Sequence, residues 1–257
     1  KMEPALLLPM GFGAILVNLP FSVISGEHGI LTWLYNFGIA GFEVFPLLLF
    51  IGIGAMIDFG PLLEKPWLIF IGAAAQGGIF LTLILASFFF PLRDAASIAI
   101  IGAADGPTAI LVSQRLSSQF LGQIIIVAYS YMALVPIVQP LALKLSTTKK
   151  EREIRMTYTS SSVSRRTRII FPIAVTIICS LIAPESAALV GMLMFGNLLR
   201  ECGVLDSLAS AAKDVLSPLV TLLLGLSIAP MMDGVKLIRM ETLMIMAFGL
   251  LAFVLDT

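Results

Sequence analysis

Residues 67–90 pass without a single charged side chain, a run of 24 residues. About 20 apolar residues carry an α-helix across the hydrocarbon core of a bilayer. A strand or loop at that depth would leave backbone groups with neither water nor a partner. The run therefore predicts a transmembrane helix, and its small residues at 72–78 predict a face where another helix approaches closely. Other apolar runs lie at 5–19, 44–57, 120–145, 169–183, 187–199, 215–232 and from 240 onward. Residues 29–42, which carry Trp33, Tyr35 and Asn36, read as interfacial or as part of a broken span. The expectation is an all-α polytopic membrane protein with about eight spans or part-spans. Composition agrees: 58% of residues are hydrophobic and 12% charged, against roughly 45–50% and about 25% in soluble domains. A water-soluble chain of this length needs charge to cover its surface.

The formal charge of zero hides an asymmetry. Lys144, Lys149, Lys150, Arg152, Arg155, Arg165, Arg166 and Arg168 supply eight of the sixteen basic residues within one 25-residue stretch. Basic residues of short loops stay on the cytoplasmic side, so 144–168 is expected to be a cytoplasmic loop. It divides the chain into a first membrane bundle (1–143) and a second (169–257). Beside so much lipid-facing sequence, no nucleic-acid partner is expected. Each half holds an apolar hairpin followed by polar or broken helices, a pattern that hints at an inverted repeat. Cys179 and Cys202 have neither the number nor the spacing of a disulfide framework or zinc site, and His28 in a Gly-Glu-His-Gly turn reads as a solvated loop residue. Both ends are apolar and abrupt, without the short h-region of a signal peptide, so further membrane segments are expected on either side.

The residue that stands out is Asp105, set in the run Gly102-Ala103-Ala104-Asp105-Gly106-Pro107-Thr108. An ionised carboxylate within the bilayer costs several kcal/mol and is tolerated chiefly where it faces a cavity, a partner or an ion. Glycine and proline interrupt the helix beside it, so 95–116 should form two short helices. The carbonyls of 101–104 would then lack helical partners. Oxygens of that kind beside a carboxylate suit a hard cation such as sodium. A second role is compatible with the first: Asp followed by Gly-Pro is a good helix start. Serine would cap equally well without the burial cost, which favours function. Thr108 can add a hydroxyl to the same site.

Three further features invite a role. Tyr129 and Tyr131 lie in an apolar helix, where a phenol can relay a proton or simply pack. Asn197 can ligate an ion or bond a neighbouring helix. Arg200 and Glu201, like Asp58, Glu64 and Lys65, read as markers of the membrane edge. Pro136 and Pro140 predict a kink in 120–145. No phosphate loop, dinucleotide fingerprint, nucleophile elbow or metalloprotease helix is present. Any energy source must therefore be an ion gradient or a partner subunit.

Four motifs in chain order, Asp58-Phe59-Gly60-Pro61-Leu62-Leu63, Gly102 to Ile110, Tyr129-Ser130-Tyr131-Met132-Ala133-Leu134-Val135-Pro136 and Gly196-Asn197-Leu198-Leu199-Arg200-Glu201-Cys202-Gly203, resemble the β subunit of the sodium-transporting, biotin-dependent decarboxylases. That family includes oxaloacetate, methylmalonyl-CoA and glutaconyl-CoA decarboxylases. The resemblance implies a multi-pass protein of the bacterial or archaeal cytoplasmic (inner) membrane, likened to a homo-oligomer. Implied partners are a carboxyltransferase subunit, a biotin-carrying subunit and a small single-span membrane subunit. The implied activity is decarboxylation of carboxybiotin on the partner, coupled to outward sodium transport with proton consumption. The resemblance further implies Asp105 as sodium and proton site and Tyr131 as the proton-path residue. Asp105, Thr108 and Asn197 form the candidate metal set; no residue is assigned to biotin. The family's second signature, an Asn-Pro-Leu-Ile-Gly segment, does not occur in this sequence and is expected beyond Thr257. The alternative reading is a sodium-coupled secondary transporter of an organic acid.

Overall fold

The computed structural model describes residues 3–20, 23–26, 28–41, 43–103, 105–154, 163–232, 234 and 238–256. Among them every regular element is helical. The chain forms α1 (Glu3–Asn18), α2 (Ile30–Tyr35), α3 (Val44–Met56), α4 (Gly60–Glu64), α5 (Leu68–Ala74) and α6 (Gly77–Ser87). There follow α7 (Leu92–Ala99), α8 (Gly106–Arg115), α9 (Leu121–Ser146), α10 (Lys149–Arg152), α11 (Arg165–Ile182), α12 (Ala187–Cys202), α13 (Asp206–Ala211), α14 (Ser217–Ile228) and α15 (Met240–Asp256). Two continuous helical stretches are long and apolar enough to cross a bilayer, Leu68–Ser87 and Asp206–Met231. Two bent pairs bring the total to as many as four, and the shorter apolar helices are Leu6–Asn18 and Met240–Leu255. Large apolar side chains are exposed along the helices, among them Phe70 on α5 at 77%, Phe88 just after α6 at 76% and Leu181 on α11 at 78%. So much exposed apolar surface is stable in lipid and a liability in water. The protein is a membrane protein.

The residues gather into two compact units, each drawn from separated parts of the sequence. Unit 1 takes 1–36, 70–157 and 225–257; unit 2 takes 37–69 and 158–224. Unit 1 packs α6, α7, α8, α9 and α15 around Phe90, Ile98, Ile101, Ile124 and Ile245. Asn18 closes the end of α1, its amide donating to the Met232 carbonyl at 2.8 Å and accepting from the Gly234 N–H at 3.2 Å. Helix α9 bends by 60° between Leu121–Met132 and Leu134–Ser146. Pro136 explains the place: its ring clashes with the carbonyl four residues earlier, that of Met132, and supplies no N–H to it. Beyond α9 the basic loop opens with α10, where Thr148 and Glu151 form a reciprocal capping box. Hydrogen bonds from the Thr148 backbone and hydroxyl hold the Glu151 carboxyl below its usual range.

Unit 2 is organised by the crossing of α3 and α12, with α11 packed antiparallel to α12 after the Pro184–Ser186 turn. Proline at 184 stops α11, and Glu185 and Ser186 begin the return. Gly54 and Gly196 make the α3 crossing possible. A Cβ at Gly54 would overlap the Leu193 carbonyl oxygen, and one at Gly196 the Ile51 carbonyl oxygen. Backbone contact of this closeness requires glycine at both positions. At the end of α12, Gly203 takes a left-handed φ of 61°, and Arg165 donates to the Cys202 carbonyl. That cation lies at the negative end of the helix dipole.

Three expectations are modified. The small-residue run 72–78 serves a close approach only at Gly78; Gly72 to Gly77 are exposed and Gly72 has open space beside it. The span expected at 215–232 does not begin there, since the polar stretch after Glu201 is continuous with it. From Asp206 it joins that span through a π-helical turn at Ala212–Leu216, because the helix propensity of Ala209 to Ala212 carries the winding through Lys213 and Asp214. Residues Ile100–Ala103 are wound as a 3-10 turn rather than left unwound, since tighter i to i+3 bonding recovers partners that the Gly-Pro break removes. His28 is exposed.

Candidate functional site

The break at Asp105 is the apex of a helical hairpin. From Leu92 the chain climbs through α7 and the 3-10 turn for about 20 Å, and α8 then spans about 15 Å. Were the two halves collinear, Asp94 and Ser118 would be separated by roughly the sum of those lengths. Instead the Ser118 hydroxyl donates to Asp94 at 2.7 Å. The chain has therefore turned back on itself, with α7 against α8.

At the apex, Asp105 is extended, with φ −106° and ψ 95°, and caps α8. Its Oδ1 accepts from the Thr108 N–H at 3.3 Å, and its Oδ2 accepts from the Thr108 hydroxyl at 2.5 Å. Both carboxylate oxygens thus face the first turn of α8, whose N–H groups carry positive partial charge. Asp105 is part-buried. Three glycines fit the apex among its neighbours. A Cβ at Gly102 would meet the Gly78 carbonyl of α6 and lie 2.7 Å from the Thr82 hydroxyl oxygen. One at Gly106 would lie 2.7 Å from the Tyr129 ring of α9, and one at Gly249 of α15 would lie 2.7 Å from both Ile101 and Tyr131. Larger residues at these places would push the apex away from α6, α9 and α15.

Thus Asp105 and Thr108 are bonded directly, with the buried Tyr129 ring packed on the intervening Gly106. Tyr131 faces elsewhere: its phenol donates to the Met246 carbonyl of α15. Asn197 belongs to unit 2, where its amide nitrogen donates to the carbonyls of Ile57 at 2.9 Å and Gly54 at 3.4 Å. Those are carbonyls that the end of α3 leaves without helical partners. The same end of unit 2 collects charge. Arg200 lies 3.6 Å from Asp58, Arg168 3.7 Å from Glu201, and Arg200 3.9 Å from Glu201. These pairs are partly solvated and individually contribute at most about 1 kcal/mol. Among the described residues no group of three or more His, Cys, Asp or Glu side chains is placed to hold a metal ion. A cation at Asp105 would rely on hydroxyl and carbonyl oxygens, as alkali ions do.

The sequence reading did not single out Asp94. It is buried, and its carboxylate accepts from Ser118, from the Gln119 N–H at 3.2 Å and from the Gln119 side-chain amide at 3.0 Å. Arg93 and Asp94 together resemble an ordinary helix start after Pro91. The available signal was the polar Ser-Ser-Gln at 117–119 between two apolar helices, which offers donors to a carboxylate.

The whole chain, residues 1–257, matches the model of the Na+-transporting oxaloacetate decarboxylase beta subunit family. It is 44% identical to the methylmalonyl-CoA decarboxylase subunit beta of Propionigenium modestum, over all of this chain and 71% of that protein. It is 41% identical to the glutaconyl-CoA decarboxylase subunit beta of Acidaminococcus fermentans, over 98% of this chain and 67% of that protein. To the oxaloacetate decarboxylase beta chain of Klebsiella pneumoniae it is 38% identical, over all of this chain and 73% of that protein. These matches favour a decarboxylase subunit over an organic-acid symporter. The chain belongs to the family of Na+-transporting decarboxylase β subunits, and is the membrane subunit of a sodium-pumping decarboxylase.

Proposed function

We propose that Asp105 is the residue at which this subunit exchanges sodium for a proton. The observation that carries the reading is the Asp105–Thr108 pair at the apex of a hairpin within a membrane unit. Carrying one charge against about 100 mV costs about 2.3 kcal/mol. Decarboxylation can meet that demand only if proton and sodium compete for one carboxylate rather than leaking independently. Protonated or sodium-paired, Asp105 is neutral and tolerable in a low-dielectric interior; bare, it is costly. Thr108 supplies a hydroxyl oxygen to the ion once its own proton turns away. Tyr131 serves the proton path, released from Met246 when the site is occupied. Asn197 is carried as an oxygen donor of unit 2, its nitrogen being committed to α3.

The substrate in this reading is a carboxyl group carried on biotin by a partner subunit of the complex in the cytoplasmic membrane. The bond between the biotin nitrogen and the carboxyl carbon breaks, the nitrogen keeps the one proton consumed, the carboxyl group leaves as carbon dioxide, and sodium moves outward. A carboxyltransferase subunit and a small single-span subunit complete the assembly, and copies of this chain associate with one another. Asp105→Asn in the assembled complex should reduce both sodium uptake into inverted vesicles and carboxybiotin decarboxylation to background. Sodium-dependent decarboxylation that survives in this variant would overturn the assignment.

A further inference from the structure

Among the described residues Asp94 is the one buried acid, at 5% exposure. None of the ion pairs among those residues involves it. Its charge is met entirely by hydrogen-bond donors: the Ser118 hydroxyl and the Gln119 N–H on Oδ1, and the Gln119 side-chain amide on Oδ2. Ser118 extends the arrangement, since its oxygen accepts at 3.2 Å from the N–H of Phe120, the residue that opens α9. A cation would need oxygen ligands around this carboxylate, whereas its neighbours present N–H and O–H groups. Asp94 is thus suited to holding chain segments together and not to holding an ion.

The segments it joins are the first turn of α7 and the turn that follows α8. These are the two feet of the hairpin that carries Asp105. Helices of 8 and 10 residues are too short to persist by propensity alone. At the other end the apex is fitted sideways by Gly102 and Gly106 against α6 and Tyr129. Those contacts set its distance from its neighbours, while a bond between the feet sets the register of one arm along the other.

We propose that Asp94 is a positioning residue for Asp105: by clamping Ser118 and Gln119 it fixes the register of α7 against α8, and so sets the affinity for sodium without touching the ion. This rests on the reading of Asp105 as the sodium site. The test exchanges donor for acceptor in the intact decarboxylase complex reconstituted in proteoliposomes. In Asp94→Asn the charge-assisted bond is lost, and an Asn nitrogen turned toward Gln119 requires the Gln119 amide to rotate and accept with its oxygen. In Gln119→Glu two carboxylates meet. In Asp94→Asn with Gln119→Glu the pair re-forms with its polarity reversed.

The sodium concentration for half-maximal decarboxylation should rise about tenfold in each single variant, as loss of a hydrogen bond to a charged group implies. The maximal rate per assembled complex should change little, and the double variant should return to within about threefold of wild type. Wild-type sodium dependence in Asp94→Asn, or a double variant no better than the singles, would overturn the clamp. Should Asp94→Asn fail to assemble, Ser118→Ala removes a single donor; a rise of about threefold supports the clamp, and an unchanged value overturns it. The two readings fail separately. Sodium-dependent turnover in Asp105→Asn sinks the sodium site, whereas an inactive Asp105→Asn with a flat Asp94 series sinks only the clamp.

Discussion

At the scale of single residues, Asp105 performs two tasks that can be separated by substitution. As an N-cap it satisfies the Thr108 N–H; as a carboxylate it offers charge. Serine caps nearly as well as aspartate, within about 0.5 kcal/mol, but carries no charge. Asp105→Ser should therefore keep the thermal stability of the purified protein to within about 2 °C, while sodium-coupled turnover falls to background. A large loss of stability together with retained turnover would mean that the cap, and not the ion, explains this residue. The spacing of Asp105 and Thr108 was legible beforehand, because a residue three positions into a helix always faces its cap. The orientation of the two tyrosines was not. Positions 129 and 131 differ by 200° around a helix, so one ring lies on Gly106 and the other reaches α15.

At the scale of elements, glycine decides where helices touch. The α3–α12 crossing places Gly54 and Gly196 against carbonyl oxygens of the partner helix, while Gly72 on α5 has nothing within 4 Å. Gly54→Ala or Gly196→Ala should destabilise unit 2 by about 1–3 kcal/mol, because the overlap is with backbone that cannot rotate aside. Gly72→Ala should stabilise by about 0.5–1 kcal/mol through helix propensity. Unfolding in detergent followed by circular dichroism reads all three, and equal effects at Gly54 and Gly72 would contradict the packing argument. The hairpin is the second lesson at this scale. Proline and glycine announce a break at 105–107, yet a break is equally consistent with a bent span and with a chain that turns back. The bonds from Ser118 and Gln119 to Asp94 and the packing of α7 against α8 distinguish them.

For the whole molecule, topology follows from charge. Basic loop residues stay inside, and the part of α11 beyond that loop, 169–182, rises about 21 Å away from it. The loop at 144–168 and the Pro184–Ser186 turn should therefore open on opposite faces of the membrane. In a background with Cys179 and Cys202 replaced by serine, a cysteine at Lys150 should react with an impermeant maleimide only in inverted vesicles. One at Glu185 should react only in right-side-out vesicles. Labelling of both from the same side would refute the orientation. The two compact units do not follow the order of the chain. Unit 1 uses both ends and the middle, and unit 2 the stretches between.

The sequence alone determined that the chain is helical, lies in a membrane, carries a broken helix at Asp105 and resembles the decarboxylase β subunits. Each of those follows from local pattern: apolar run length, Gly-Pro chemistry, and motif order. Tertiary structure decided which segments share a unit, that the two short helices fold back as a hairpin, and that Asp94 bonds to Ser118 and Gln119 across 24 and 25 positions. In lipid the apolar pattern says which residues avoid water but not which helices meet, because lipid and protein are equally apolar neighbours. Partner choice is left to glycine contacts and buried hydrogen bonds, whose two halves are far apart in the chain.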